Sequence, residues 1–401
     1  MSSFDEELNR RLDALRQQNL QRELRRVDSP PDTRIQAGGR TLLNFSSNDY
    51  LGLANEPQLK EAAVRAVEKF GAGSGAARLM SGSLAPHHEL EETLAAFKGT
   101  AAALSFSSGY TTALGTIGAL AGKDDVIILD KLVHACVVDA ARLSGATLRI
   151  FAHNDLNDLE KKLKWAATRS RQPSPAARHT LIVTESVFSM DGDAAPLAEI
   201  VALKERHGAW LMVDEAHATG LYGKNRRGLA EACGVSDRIE IQMGTLGKAV
   251  GAAGGYICGS RELADYLVSR ARSFIFSTAP VPAAAAAATA GIRLIQSTAG
   301  EDRRNHLFDR IQELNPPSAI RHPQFQSAII PIRIGDEAAA AAAAAGLREQ
   351  GFFVPAVRFP TVARGRARLR ISLTAAHTPT DVSELATALE QFQVPGNPSH
   401  A

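Results

Sequence analysis

Short runs of apolar and β-branched residues recur at 126–129, 180–184, 210–213 and 239–243, with helix-like spacing between several of them. This alternation constrains the fold more than any other feature. A strand that is apolar on both faces has to be covered on both faces, and helices between successive strands provide that cover. The chain is therefore expected to be α/β, with a mostly parallel central sheet over residues 46–290 and helices near 57–70, 112–121, 155–168 and 197–207. In such a sheet the chemistry sits in loops at the carboxyl ends of the strands.

The flanks read differently. Residues 5–26 carry leucines at Leu8, Leu12, Leu15 and Leu24, the stripe of an amphipathic helix that would pack on the body or on a partner subunit. Residues 41–53 read as a strand followed by a polar loop. Alanine runs at 283–288 and 338–345 are expected to be helical, since alanine is the best helix former. Strand-like stretches at 328–332 and 368–373 flank the second run, which predicts a smaller α+β domain over 291–401, after an N-terminal segment over 1–45. Residues 170–175 are expected to form a surface loop, and the tail from Pro395 to fray.

At 401 residues, with 45% hydrophobic and 22% charged residues, the composition is that of a soluble globular chain with room for two domains. A net charge of +2 predicts no nucleic-acid partner. No apolar run reaches the roughly 18 residues of a membrane span. The N-terminus has no apolar core of a signal peptide, so the expected location is cytoplasmic. Cys136, Cys233 and Cys258 are far apart and form no C-x-x-C, which argues for buried small hydrophobes in a reducing compartment.

Three groups stand where the sheet geometry wants chemistry. Lys248 lies among glycines and small residues in Gly244-Thr245-Leu246-Gly247-Lys248-Ala249-Val250-Gly251, directly after a predicted strand. Read alone it is either a solvated surface charge or a desolvated nucleophile. Asp214 ends the run 210–213, where an acid is costly unless paired; it is either a cap or core ion pair, or the partner of a buried cation. His217 follows three residues later. Together the three are the groups needed to hold and tune pyridoxal phosphate: the amine bonds the aldehyde, the acid keeps the ring nitrogen protonated, and the histidine bonds the ring oxygen. Gly109, in Ser108-Gly109-Tyr110, opens a predicted helix whose N–H groups suit a phosphate. His134 and Ser189 follow other predicted strands, offering a flat ring and a hydroxyl.

Competing motifs fail. Gly71-Ala72-Gly73-Ser74-Gly75 follows a helix, not a strand, and its third glycine does not stand at the spacing of a dinucleotide loop. No G-x-S-x-G is present. His87-His88-Glu89 lacks the second histidine of a zinc site, so no metal is expected, and the three are read as a solvated helix start.

The stretches Asn44-Phe45-Ser46-Ser47-Asn48-Asp49-Tyr50-Leu51-Gly52-Leu53, Gly71–Gly75, Ser108-Gly109-Tyr110, Val187-Phe188-Ser189-Met190-Asp191-Gly192-Asp193, Asp214-Glu215-Ala216-His217-Ala218-Thr219-Gly220 and Thr245-Leu246-Gly247-Lys248 resemble, as a set and over essentially the whole chain, the α-oxoamine synthase family of fold-type I pyridoxal-phosphate enzymes. The resemblance implies that Lys248 carries the cofactor, Asp214 faces the ring nitrogen, His217 the ring oxygen, and His134 stacks on the ring and touches substrate. It also implies that Gly109, Tyr110, Ser189 and Thr245 hold ring and phosphate, and that Ser277 and Thr278 reach the phosphate of a neighbouring subunit in a homodimer. Arg370 becomes the carboxylate clamp, and Arg22 and Thr361 substrate contacts. Arg358–Val362 and Leu369–His377 point to the member that condenses L-alanine with a pimeloyl thioester, on CoA or an acyl carrier protein; siblings such as glycine C-acetyltransferase use the same apparatus, and a catalytically silent scaffold is the non-enzyme alternative. Phe359, Ala76 and Ala77 depart from the commoner proline, glycine and serine on substrate-side loops.

Overall fold

The computed structural model describes residues 2–170, 178–314 and 327–391. In chain order its strands are β1 Arg34–Ala37, β2 Arg40–Asn44, β3 Ala102–Phe106, β4 Val126–Asp130, β5 Thr147–Phe151, β6 Thr180–Glu185, β7 Trp210–Asp214, β8 Ile241–Thr245, β9 Gly255–Gly259, β10 Ile329–Gly335, β11 Phe352–Phe353, β12 Ala356–Val357 and β13 Ala367–Ser372. They fall into two compact units. The smaller comprises Met1–Tyr50, Met190–Gly192 and Asn305–Ala401, and the larger Leu51–Ser189 and Asp193–Arg304.

The larger unit holds a seven-stranded sheet in the order β3-β9-β8-β7-β6-β4-β5. β5, β4, β6, β7 and β8 run parallel, whereas β9 is antiparallel to both β8 and β3. This is the expected α/β sheet, and the strands read from the sequence are its inner ones: β4 is buried throughout, and β6 and β7 everywhere but their first residues. β5 and β9 went unread. β5 is an edge strand buried only at Phe151, and β9 begins and ends in glycine, so neither carries a continuous apolar run.

The helices Pro57–Phe70 and Leu197–His207 stand where the sequence puts them, the second closed by Gly208 in the left-handed region. The helix expected from residue 112 starts at Gly109, because Ser108 caps it by accepting the N–H of Thr111 at 3.1 Å. The first alanine run lies in the helix Pro282–Gln296, which packs on Pro57–Phe70 and Ala85–Lys98. The larger unit runs on to Arg304, beyond the expected division at 290, and Arg303 donates to the Leu51 carbonyl at 3.0 Å and to Glu56 at 2.6 Å.

In the smaller unit β1 pairs antiparallel with β2, and β11 adds to β2 in parallel. This pairing joins residues 1–50 to the C-terminal part, where the sequence suggested a separate segment over 1–45. β10, β13 and β12 form an antiparallel sheet. The second alanine run is the helix Glu337–Glu349, capped by Asp336 and burying Ala340, Ala344 and Leu347.

Two expectations are corrected. The helix expected over 5–26 is Ser3–Gln17 and buries no residue. Asn19 takes a left-handed φ of 55°, and the N–H groups of Asn19 and Leu20 close on the carbonyls of Arg16 and Leu15, a C-terminal stop that leaves Leu24 in open solvent. His87 is fully buried, its Nδ1 accepting from Leu84 N–H and its Nε2 bonded to the Pro280 carbonyl at 2.8 Å; only His88 and Glu89 are exposed. Residues 171–175 and the tail from Pro395 lie outside the described residues. Among the described residues no helix is long and apolar enough to cross a membrane, and no group of three or more metal-ligating side chains occurs.

Candidate active site

The carboxyl ends of the parallel strands bring the acids together. Asp214 closes β7, Glu185 closes β6, and the two lie opposite each other in register. Thr245 closes β8, and the turn 246–254 returns the chain into β9. That turn is tied from within. Thr245 Oγ1 donates to the Gly254 carbonyl at 2.9 Å, Leu246 N–H to the same carbonyl at 2.9 Å, Ala252 N–H to the Leu246 carbonyl at 2.9 Å, and Gly251 N–H to the Lys248 carbonyl at 2.8 Å. Gly251 has a φ of 73°, and a Cβ there would lie 2.6 Å from Leu53, so glycine is needed for both conformation and contact.

Lys248 stands at the tip of this turn, half-buried, with Nζ 2.6 Å from His217 Nε2. His217 is buried, and so is Asp214, whose carboxylate accepts from Ala216 N–H at 2.9 Å. Burial pushes the Asp214 carboxyl above its usual range, and the charges of Lys248 and His134 partly offset this. The arrangement is a buried acid that gains from an added cation, beside an amine in contact with an imidazole. A pyridinium nitrogen is such a cation and an aldehyde is the natural partner of the amine, so the donor set fits pyridoxal phosphate.

Four further predicted residues lie in the same unit. His134 has an exposed face, yet its surroundings desolvate it enough to hold its imidazole below the usual histidine range. The Cys136 backbone N–H and thiol both point at His134 Nδ1, at 3.3 and 3.0 Å, which favours the tautomer with its proton on Nε2. Gly109 and Tyr110 are the first residues of the helix Gly109–Leu120, and Tyr110 Oη donates to Asp139 at 2.6 Å. Ser189 is buried, with its N–H donated to Glu185 at 3.1 Å. Ser277 and Thr278 also belong to this unit, the latter in an isolated bridge to Ala77.

The remaining predicted residues belong to the smaller unit. Arg370, on β13, is buried and donates to Ser372 Oγ at 2.7 Å and to Asn48 Oδ1 at 3.2 Å. Arg22 and Thr361, 339 residues apart, meet at 3.0 Å. Arg358 bonds the Asn19 carbonyl and Arg364 bonds Gln18, so the segment after the first helix is fastened to the 358–364 loop.

The sequence reading passed over two features of the larger unit. Glu185 ends the apolar run 180–184, the same local signal that marks Asp214. His153 lies between two buried carboxylates, Asp130 at 2.9 Å and Asp193 at 2.6 Å, with Phe188 edge-on at 4.4 Å. Burial opposes its charge, but the two carboxylate hydrogen bonds outweigh that and raise it to about 10. A lone histidine after a strand gave no sign of this.

The fold and this constellation define the class. The chain belongs to the aminotransferase class I and II family, whose model matches residues 40–389. The particular members it resembles are 8-amino-7-oxononanoate synthases. That of Anaeromyxobacter dehalogenans is 49% identical over 381 residues, covering 94% of this chain and 93% of the relative, and that of Geotalea daltonii is 47% identical over 392 residues, covering 97% of each. Among solved structures, a serine palmitoyltransferase variant from S. paucimobilis with a bound PLP–myriocin aldimine superposes with a TM-score of 0.89 at 30% identity, covering 98% of both chains. An 8-amino-7-oxononanoate synthase from Francisella tularensis superposes with a TM-score of 0.72 at 28% identity, covering 87% of this chain and 97% of the other. The resemblance read from the motifs holds, and pyridoxal phosphate is the cofactor.

Proposed function

We propose that the protein is a cytoplasmic, homodimeric C-acyltransferase that joins L-alanine to the pimeloyl group of a thioester, releasing carbon dioxide and the free thiol and forming 8-amino-7-oxononanoate, an intermediate for biotin. When bound, pyridoxal phosphate supplies an aldehyde for amines and a cationic ring that draws electrons from the amino acid's Cα. Asp214 keeps the ring nitrogen protonated, and burial makes the charge interaction strong. His217 bonds the ring oxygen and shares a proton with the amine beside it. Lys248 would anchor the cofactor, and its Nζ is the base that would take the Cα proton of alanine and return a proton after carbon dioxide has left. His134 covers the ring and presents Nε2–H to the substrate. Gly109 and Tyr110 at a helix N-terminus, with Ser189, Thr245 and the partner subunit's Ser277 and Thr278, hold ring and phosphate. Arg370 takes the alanine carboxylate through a planar guanidinium, and Arg22 and Thr361 contact the acyl chain.

The observation that carries this reading is the contact of Lys248 with His217 beside the buried Asp214, in a chain whose curated relatives are 8-amino-7-oxononanoate synthases. A second reading, a sibling acyltransferase using serine or glycine, draws on the superposition with serine palmitoyltransferase. Thiol release decides between them. Pimeloyl-CoA, or the pimeloyl acyl carrier protein, should be consumed fastest with alanine, and the product should carry the mass of 8-amino-7-oxononanoate. Faster release from glycine with acetyl-CoA, or from serine with palmitoyl-CoA, selects the sibling. Bound cofactor with no thioester-dependent turnover selects a silent scaffold.

A further inference from the structure

Glu185 is 2% exposed and stands opposite Asp214, so two carboxylates lie side by side in the floor of the site. One Glu185 oxygen accepts the backbone N–H of His134, and the other accepts the backbone N–H of Ser189 at 3.1 Å. The donors come from different loops, one following β4 and the other following β6. A buried carboxylate is costly, and a second acid beside it raises that cost. What it offers that an amide or hydroxyl does not is two equivalent acceptor oxygens, one for each loop.

We infer that Glu185 is a positioning residue whose carboxylate sets the spacing between the His134 and Ser189 backbones and fixes both loops to the strand pair that carries Asp214. Its importance for turnover rests on the functional reading above; the tie between the loops does not. Burial first, and then the negative charge of Asp214, push the Glu185 carboxyl up to about 8, against the opposing effects of Lys248 and the two backbone N–H donors. Protonation turns one acceptor oxygen into a donor that faces an N–H. Both loops are therefore held above about pH 8, and one of them loses its acceptor below it.

Hydrogen–deuterium exchange of the cofactor-free protein tests this directly. In Glu185→Gln, one oxygen is replaced by an NH2 that cannot accept. Above about pH 8, where the wild-type group is a carboxylate, whichever of the His134 and Ser189 amides faces the new NH2 should exchange about tenfold faster or more, with the helix Leu197–His207 unchanged. In the wild type, exchange corrected for its intrinsic rate should slow at one of the two amides as pH rises from about 7 to 9. This series decides the matter even if the variant fails to fold. In the holoenzyme, Glu185→Gln should lower kcat by about 10- to 100-fold with little change in the KM for alanine, since a small misplacement of reacting groups costs that much. Unchanged exchange at both amides overturns the proposal. So does a uniform rise across the larger unit, which marks a residue that serves stability alone. If the wild type neither binds the cofactor nor turns over, the functional reading fails while the exchange results still decide the role of Glu185.

Discussion

At the scale of single residues, the site depends on charges that need one another. Lys248→Ala removes both the covalent anchor and the proposed base, and thioester-dependent turnover should fall by about 10²–10⁴-fold or more, measured as steady-state thiol release. Borohydride reduction followed by mass mapping should place the cofactor on Lys248 in the wild type; an adduct on another lysine would end the assignment. Lys98 and Glu215 pose a different case. Both are buried, their charged groups are in contact, and Glu215 Oε1 also accepts Ala230 N–H at 2.8 Å. Lys98→Met leaves the buried Glu215 carboxyl without its cationic partner, and urea denaturation should record a loss of about 3–5 kcal/mol. Replacing both residues with apolar ones of similar volume should restore most of that loss, and a double variant no more stable than the single one would refute the pairing argument.

At the scale of elements, strands with continuous apolar runs and helices with alanine or clear periodicity were legible in the sequence, because local composition alone specifies them. β4, β6, β7, Pro57–Phe70 and Leu197–His207 are of this kind. Asp214 and His217 were legible for the same reason, standing just past such a strand. Elements defined by their partners were not. β9 owes its place to β3 and β8, β11 to β2, and the two-residue strands carry no periodicity. Glu185 carries the same local signal as Asp214, but its role, like that of His153, depends on groups that the sheet brings together from distant parts of the chain. Gly228 is a similar case. Its φ of 137° is outside the range of ordinary side chains, and a Cβ would lie 2.4 Å from Glu215 Oε2. Gly228→Ala should therefore lower the thermal midpoint by several degrees, consistent with about 1–3 kcal/mol of backbone strain. An unchanged midpoint would show that the loop can shift to accommodate the methyl group.

At the scale of the whole molecule, a half-buried histidine, His153, and a buried one, His377, give the units opposite responses to pH. In the larger unit His153 is raised from 6.5 to about 10. Its contribution to stability is complete below pH 6.5 and is lost as pH rises through 10. In the smaller unit His377 stacks on Phe45 at 4.3 Å and accepts the Thr374 N–H at 3.0 Å. Burial, outweighing its hydrogen bond to the Asn44 carbonyl, holds it at about 4. The unfolded chain takes up that proton first, so the smaller unit loses stability as pH falls from 6.5 towards 4. Exchange protection should fail first in the smaller unit in acid and first in the larger unit in alkali, and His377→Gln should flatten the acid limb. Simultaneous loss in both units at either extreme would contradict this. Finally, because β9 runs back beside β8, the segment bearing Lys248 is pinned at both ends and braced across its middle. The amine works on a short leash, reaching only as far as its own methylenes allow, so adding one residue to that stretch would move it out of range while leaving the sheet beneath intact.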